Sequence, residues 1–280
     1  MTHHFAPRFR GAYSDMHCGV HPAFTLDRLD AAQHVAVYKA AGVDNVAAVW
    51  GKCHQGYSYY PTDVGIRHPR LKGDYLGDMA RLMHKEDIQV YGYFSLGFDG
   101  AAVLLHPEYG VRDKSGELLR AGTGDWEGKL LPRWYWACFI GLHRDYALAQ
   151  IKEMVEWYDL DGIFIDIPEP HHWQGLCYCK FCREKVRAIY NVDLMTEELD
   201  WPQTVDWWWN RTEKQMMIDV RDAIKSVKPE LPMCTNVDSF AVDKEYMDTQ
   251  DYLFRDASYF DIGFDQGLQL RASGIKYRQA

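Results

Sequence analysis

The chain has 280 residues, with 40 acidic against 31 basic side chains and a formal net charge of −9. Without a Lys/Arg run it has no electrostatic footprint for a phosphate backbone or an anionic bilayer, which argues against nucleic acid and membrane partners. No apolar stretch approaches a membrane span, and the opening "MTHHFAPRFRGAY" lacks the apolar core of a signal peptide, so a soluble cytoplasmic protein is expected. The length suits one large catalytic domain, residues 1–280, at the upper end of what a domain holds unless it is an α/β barrel.

Taken in chain order, two patterns alternate. A short run, "GAYSDMHC" at 11–18, precedes "DAAQHVAVYKAAGV", where Ala32, Val35, Ala36 and Val43 fall near helical spacing before Gly42 and Asp44 break it. The near-continuous apolar run "NVAAVWGKC" follows, of the kind parallel strands show when both faces are covered. Helix "DYLGDMARLMHKEDI" then leads to strand "QVYGYFSLGF", and helix "RDYALAQIKEMVEWYDL" to strand "DGIFIDIP". A long helix through "RTEKQMMIDVRDAIKSVKPE" leads to "LPMCTNV", and "SYFDIGFDQG" closes the series.

This alternation defines an α/β class with a parallel sheet. No GxGxxG turn follows an early strand, which removes the usual reason for a dinucleotide-binding sheet and favours a (β/α) TIM-type barrel. Polar residues gather just past the strand ends, at Asp15, His17, Lys52, His54, Asp99, Asp166, Asn236, Asp238 and Asp265, where barrel enzymes place their chemistry. Roughly six strand-plus-helix units are readable against about eight in a standard barrel. Either strands escape the reading or the barrel is incomplete; an open seam would expose strand edges and calls for a homo-oligomer.

Ten Trp and eighteen Tyr, many in "YSYY", "RWYWACF" and "DWWWN", suit the apolar faces of sugars, although they equally fill cores. In "DGIFIDIP" the apolar run ends at Asp166 and Pro168 stops the ladder, so a carboxylate stands at the strand rim. In "WGKCHQGYSYYPT" Lys52 and His54 bring donors for sugar hydroxyls, with Trp50 and Tyr57 as stacking surfaces. His17 and Asn236 are further rim candidates for substrate contact.

The ordered set "WGKCHQGYSYYPT", "HPRLKGDYLGDMARL", "YGYFSLGFD", "DGIFIDIP" and "CYCKFC" resembles the barrel of the α-L-fucosidase-related glycoside hydrolases, in particular the group known as hypothetical glycoside hydrolases. The likeness runs from about residue 11 to 270; Cys53-His54 stands where the fucosidases proper show paired His. The resemblance implies a (β/α) barrel, a carbohydrate substrate, and retaining cleavage of a glycosidic bond with no catalytic cofactor. It also implies a nucleophilic Asp ending the fourth strand, which falls on Asp166, and a sugar-binding role for Lys52 and His54. Retaining hydrolysis needs a second carboxyl group about 5 Å from the first. Related barrels place it near the sixth strand, which selects Asp265, with Glu169 as the local rival and Asp238 and Glu108 behind.

Seven cysteines cannot all pair, and with no export signal thiols or metal ligands are expected rather than disulfides. Cys177, Cys179 and Cys182 form CxCxxC, zinc-ligand spacing, with His172 as the fourth ligand and His171 or Cys138 as alternatives. Such a zinc would be structural. Two rival functions stay open. One is a metal-dependent barrel hydrolase built on Asp15, His17 and His21 after the first strand; the other is a non-catalytic carbohydrate-binding barrel.

Overall fold

The computed structural model describes residues 10–14, 26, 28–121, 134–168, 175–236 and 244–251. In chain order they form β1 (Gly11–Ala12), α1 (Ala31–Ala40), β2 (Asn45–Lys52), β3 (Tyr57–Ser58), β4 (Ile66–Arg67), α2 (Tyr75–Lys85), β5 (Gln89–Ser95), α3 (Gly100–Leu105), a 3-10 turn (Pro107–Tyr109), β6 (Arg120–Ala121) and β7 (Trp134–Tyr135). There follow α4 (Leu142–Trp157), β8 (Gly162–Asp166), α5 (Lys180–Tyr190), α6 (Trp201–Asp206), a π-helical stretch (Trp207–Glu213), α7 (Lys214–Val227), β9 (Met233–Thr235) and α8 (Lys244–Met247).

The main sheet runs β4-β3-β2-β5-β8-β9, with β1 also on β2. Strands β1, β2, β5, β8 and β9 are mutually parallel neighbours, so β8 is the fourth parallel strand in chain order. Short β3 returns antiparallel to the end of β2, pairing Ser58 with Lys52. β1 lies on β2 at Asn45 and Val46. This is the α/β parallel architecture expected from the alternating pattern. The expected sixth run, "SYFDIGFDQG", lies outside the described residues. Among those residues, no helix is long and apolar enough to cross a membrane.

Local chemistry explains the helices. Asp30 caps α1, accepting from Ala32 N at 2.9 Å, and Asp74 caps α2, accepting from Gly77 N at 3.0 Å. In α2, Leu76, Met79, Ala80 and Met83 recur at helical spacing and are buried together. Asn191 ends α5 in the left-handed conformation that a Gly or Asn tolerates. That helix was not expected from sequence: only Cys182 and Val186 are buried among its charged residues.

All seven residues of β5 and all five of β8 are buried, because both faces of the sheet are covered. On the outer face Val90, Phe94, Ile163 and Ile165 meet α2, α4 and α7 through Met79, Met154 and Val220. On the inner face Ala48, Tyr93, Phe164 and Cys234 form a separate layer, the packed interior of a barrel wall. Tyr93 stacks on its register partner Phe164 with centroids 5.9 Å apart, and Tyr13 meets Phe164 edge-on at 5.5 Å. Strand alternation then determines what lies above that layer: two residues beyond Phe164 is Asp166.

Candidate active site

Asp166 is the last residue of β8, and its carboxylate is 4% exposed. Among the described residues three donors hold it. Tyr93 donates its phenol hydrogen to Oδ2, Asn236 donates through Nδ2 to Oδ1 at 2.5 Å, and the Ile167 N–H donates to Oδ1 at 2.9 Å. Neutral donors aimed at both oxygens favour the ionised form. Ile167 itself has φ of +53°, a left-handed conformation that strains a β-branched residue, and Gly97 N–H donates to its carbonyl at 2.9 Å.

His54 stands beside this carboxylate, Nε2 3.6 Å from Asp166 Oδ2. Its Nδ1 lies 2.7 Å from Ser95 Oγ, and Ser95 in turn donates to the Phe98 carbonyl at 3.2 Å. The Ser95 contact orients the ring so that Nε2 faces Asp166. Trp134 and Phe98 pack edge-on against the imidazole at 4.7 and 5.0 Å, which fixes its plane.

A second buried charge cluster adjoins the first. Lys52 Nζ lies 3.0 Å from Asp99 Oδ2 and donates to the carbonyls of Ser95 at 2.7 Å and Phe98 at 3.3 Å. His143 Nε2 donates to the same Asp99 oxygen at 3.0 Å. Burial alone would push Asp99 up, but the Lys52 charge and the hydrogen bond from His143 overcome it and hold the carboxyl below its usual range. Burial holds His143 below its usual value, against the opposing pull of Asp99. His143 is therefore neutral, and its buried Nδ1, with no partner among the described residues, is a bare acceptor. Gly56, at φ of +86°, permits the turn after β2 to pass this cluster, since a Cβ there would strike Asp99 Oδ1.

The structure thus brings Asp166, His54 and Asn236 together as the sequence led us to expect. It separates three other residues from them. Lys52 is fully buried and its three N–H groups are taken up by Ser95, Phe98 and Asp99, so the expected sugar contact is corrected to a brace under the turn that carries Ser95. Trp50 faces the helices, tilted on Tyr75 at 4.9 Å and donating to the Ser14 carbonyl at 2.8 Å. The register along β2 next to β5 is irregular between Val46 and Val49 and again between Trp50 and Lys52. Tyr57 lies on β3, with β2 and β5 between it and β8, and its ring meets His68 at 5.3 Å.

Tyr59, Tyr60, Trp136 and Trp207 are core residues, so much of the aromatic clustering is packing. Glu108 sits on the 3-10 turn, 3.7 Å from His106. Asp265, Glu169, His17 and His172, with Asp15, His21, His171 and Asp238, lie outside the described residues. Tyr93 was not anticipated, though a Tyr near the end of an apolar parallel strand, in register with the one ending in Asp166, was the available signal.

Beside this site lies a sulfur cluster. Cys138, just past β7, joins Cys177, Cys179 and Cys182, all buried, with the four sulfurs within 4.8 Å of one another. Among the described residues the fourth member is Cys138, one of the candidates named from sequence, while His172 lies outside them. Cys138 Sγ is 3.5 Å from Cys182 Sγ, 3.7 Å from Cys179 Sγ and 3.9 Å from Cys177 Sγ. Hydrogen bonding from Cys138 and its neighbours holds the Cys179 thiol far below its usual range, while Cys138 and Cys182 are pushed up.

A parallel α/β wall with helices on its outer face and a packed inner layer defines the fold class: the wall of a (β/α) barrel. Residues 30–167 match the family model described as Hypothetical glycosyl hydrolase 6, in keeping with the resemblance read from the sequence. Among solved structures the chain is similar to α-L-fucosidase isoenzyme 2 from Paenibacillus thiaminolyticus, at TM-score 0.72 and 24% identity over 88% of this chain and 35% of that one. It is also similar to the β-galactosidase from Bacillus circulans sp. alkalophilus, at TM-score 0.62 and 14% identity over 94% of this chain and 42% of that one. The β-galactosidase from the psychrophilic Marinomonas ef1 gives TM-score 0.60 and 14% identity over 89% and 40%. The chain therefore spans well under half the length of these enzymes, and the likeness carries the fold. No curated protein matches the chain.

Proposed function

We propose that the protein is a glycoside hydrolase of the fucosidase-related kind, cleaving with retention and using Asp166 as the nucleophile. The observation that carries this reading is the cradle around Asp166. Tyr93, Asn236 and the Ile167 N–H donate to the carboxylate, an arrangement that favours its ionised form, and His54 lies along one side of it. A nucleophile in this chemistry must be ionised and fixed in line with the anomeric carbon. The family match over residues 30–167 and the glycosidase fold add weight to it.

In the first step Asp166 attacks the anomeric carbon while a second carboxylic acid protonates the departing oxygen; water, deprotonated by that same residue, then releases the sugar. Asp265 and Glu169 are the candidates for the acid. His54 Nε2, beside Asp166, hydrogen-bonds a sugar hydroxyl, and Asn236 holds Asp166 as it loses charge. No cofactor enters this chemistry.

The test is hydrolysis of nitrophenyl α-L-fucoside, β-D-galactoside and α-L-arabinoside by the parent and by Asp166→Ala, with and without azide. The expected result is turnover by the parent, a loss of at least about 10³-fold in the variant, and partial rescue as azide takes the vacated place. A folded parent that turns over none of the sugars, or a variant as active as the parent, overturns the assignment.

A further inference from the structure

We infer that Cys138, Cys177, Cys179 and Cys182 form a closed structural zinc site that ties the segment packed on His54 to the chain returning from Asp166. This stands whether or not Asp166 is the nucleophile. Four thiolates at about 2.3 Å from one tetrahedrally held zinc lie about 3.8 Å from each other. The distances from Cys138 to its three neighbours are 3.5, 3.7 and 3.9 Å. A disulfide would require about 2.05 Å between two of them and would leave the other two without use.

Four buried thiols make poor hydrogen-bond partners for each other, and packing does not require four together when Leu, Val or Ala would fill the same volume. The set contains sulfur alone, which selects soft or borderline ions, and tetrahedral S₄ is the preference of zinc. Binding releases the thiol protons and leaves the unit with a formal charge of −2, which the surroundings can bear. Cys179 is the N-cap of the eleven-residue α5 and Cys182 lies in its first turn, where the helix presents unpaired N–H groups. Arg183, whose buried Nε has no partner among the described residues, sits in the same turn.

Cys138 N–H donates to the Tyr109 carbonyl at 2.8 Å, and Ala137 N–H to the Gly97 carbonyl at 2.8 Å. Gly97 in turn donates to Ile167, next to Asp166. Trp134, four residues before Cys138, supplies the ring against His54. An ion between 138 and 177–182 closes this circuit of contacts from outside the site. With four protein ligands it leaves no position for a catalytic water.

The experiment is metal analysis of the full chain purified under reducing conditions. One zinc per chain is expected. Metal-free chain refilled with cobalt(II) should show thiolate-to-cobalt charge transfer and the strong visible bands of a tetrahedral S₄ site. Cys179→Ser should drop zinc below about one tenth per chain, while Cys53→Ser and Cys234→Ser, at buried thiols elsewhere, keep it. Parent chain with less than about a tenth of a metal that also gives no cobalt spectrum overturns the inference, and needs no variant to fold. So does a Cys138–Cys182 disulfide found by mass spectrometry, or stoichiometric iron in place of zinc.

Discussion

Asp99 and Asp166 are both buried aspartates, one just past β5 and the other at the end of its sheet neighbour β8, yet their surroundings differ in kind. Asp99 faces a full counter-charge, the Lys52 ammonium, and a neutral His143 completes its hydrogen bonding. Among the described residues, Asp166 accepts from three neutral donors and has the His54 imidazole beside it. A buried carboxylate matched by a buried cation is balanced at rest and has nothing to gain by reacting. One held by neutral donors keeps its charge available to a developing positive centre, as glycoside cleavage requires.

The largest effects should come from removing each charge in turn. Asp166→Asn keeps the shape and should lower kcat/KM by at least about 10³-fold with little change in melting temperature. Asp99→Asn strands the Lys52 charge in the interior and should cost about 3–5 kcal/mol, lowering Tm by on the order of 10 °C. Thermal melts and kinetics on both variants check this. If Asp166→Asn unfolds the protein while Asp99→Asn leaves stability intact, the two roles have been assigned the wrong way round.

Half of that comparison was legible in the sequence. The run Ile163, Phe164, Ile165 stopping at Asp166 and Pro168 marks a strand and a rim carboxylate, and the structure puts both there. The pairing of Lys52 with Asp99 and His143 was not legible, because it joins residues 47 and 44 positions apart across separate elements, and no local period reports it. For the same reason Cys138 could be only one of several candidates for the fourth sulfur. Helix α5 escaped because its buried face is so narrow.

Tyr93→Phe sharpens the Asp166 side. The variant keeps the stack on Phe164 and loses one donor to a charged oxygen, worth about 1.5–3 kcal/mol. The expected fall in kcat/KM is about 10- to 100-fold, with the acidic limb of the pH profile moved upward as Asp166 becomes more basic. An unchanged acidic limb would detach the phenol from the carboxylate.

His143→Gln probes the Asp99 side through pH. The folded pKa of His143 lies below its ordinary 6.5, so between the two values the unfolded chain binds more protons and stability falls as pH drops through that window. Asp99 adds a loss at lower pH, because its depressed folded value means its contribution is complete above about 3.8 and disappears as pH falls through the folded pKa. Glutamine preserves a donor to Asp99 without titrating. The Tm difference between pH 7 and pH 5 should therefore shrink in the variant; parallel curves for variant and parent would mean that His143 is protonated in the fold.

The smallest expected effect concerns Ile167, the left-handed residue directly after Asp166. An L side chain at φ of +53° costs about 1–2 kcal/mol, and glycine there removes the clash while adding about 0.5–1 kcal/mol of chain entropy to be lost on folding. Ile167→Gly should thus raise stability by no more than about 1 kcal/mol. Were the strain only a by-product of packing, activity would rise or hold alongside stability. The Ile167 N–H is one of the three donors on Asp166, and its carbonyl accepts from Gly97, so freeing that backbone loosens the carboxylate's position. A several-fold fall in kcat/KM in a chain that melts no lower than the parent would show that the strained peptide is held in place for the sake of the carboxylate.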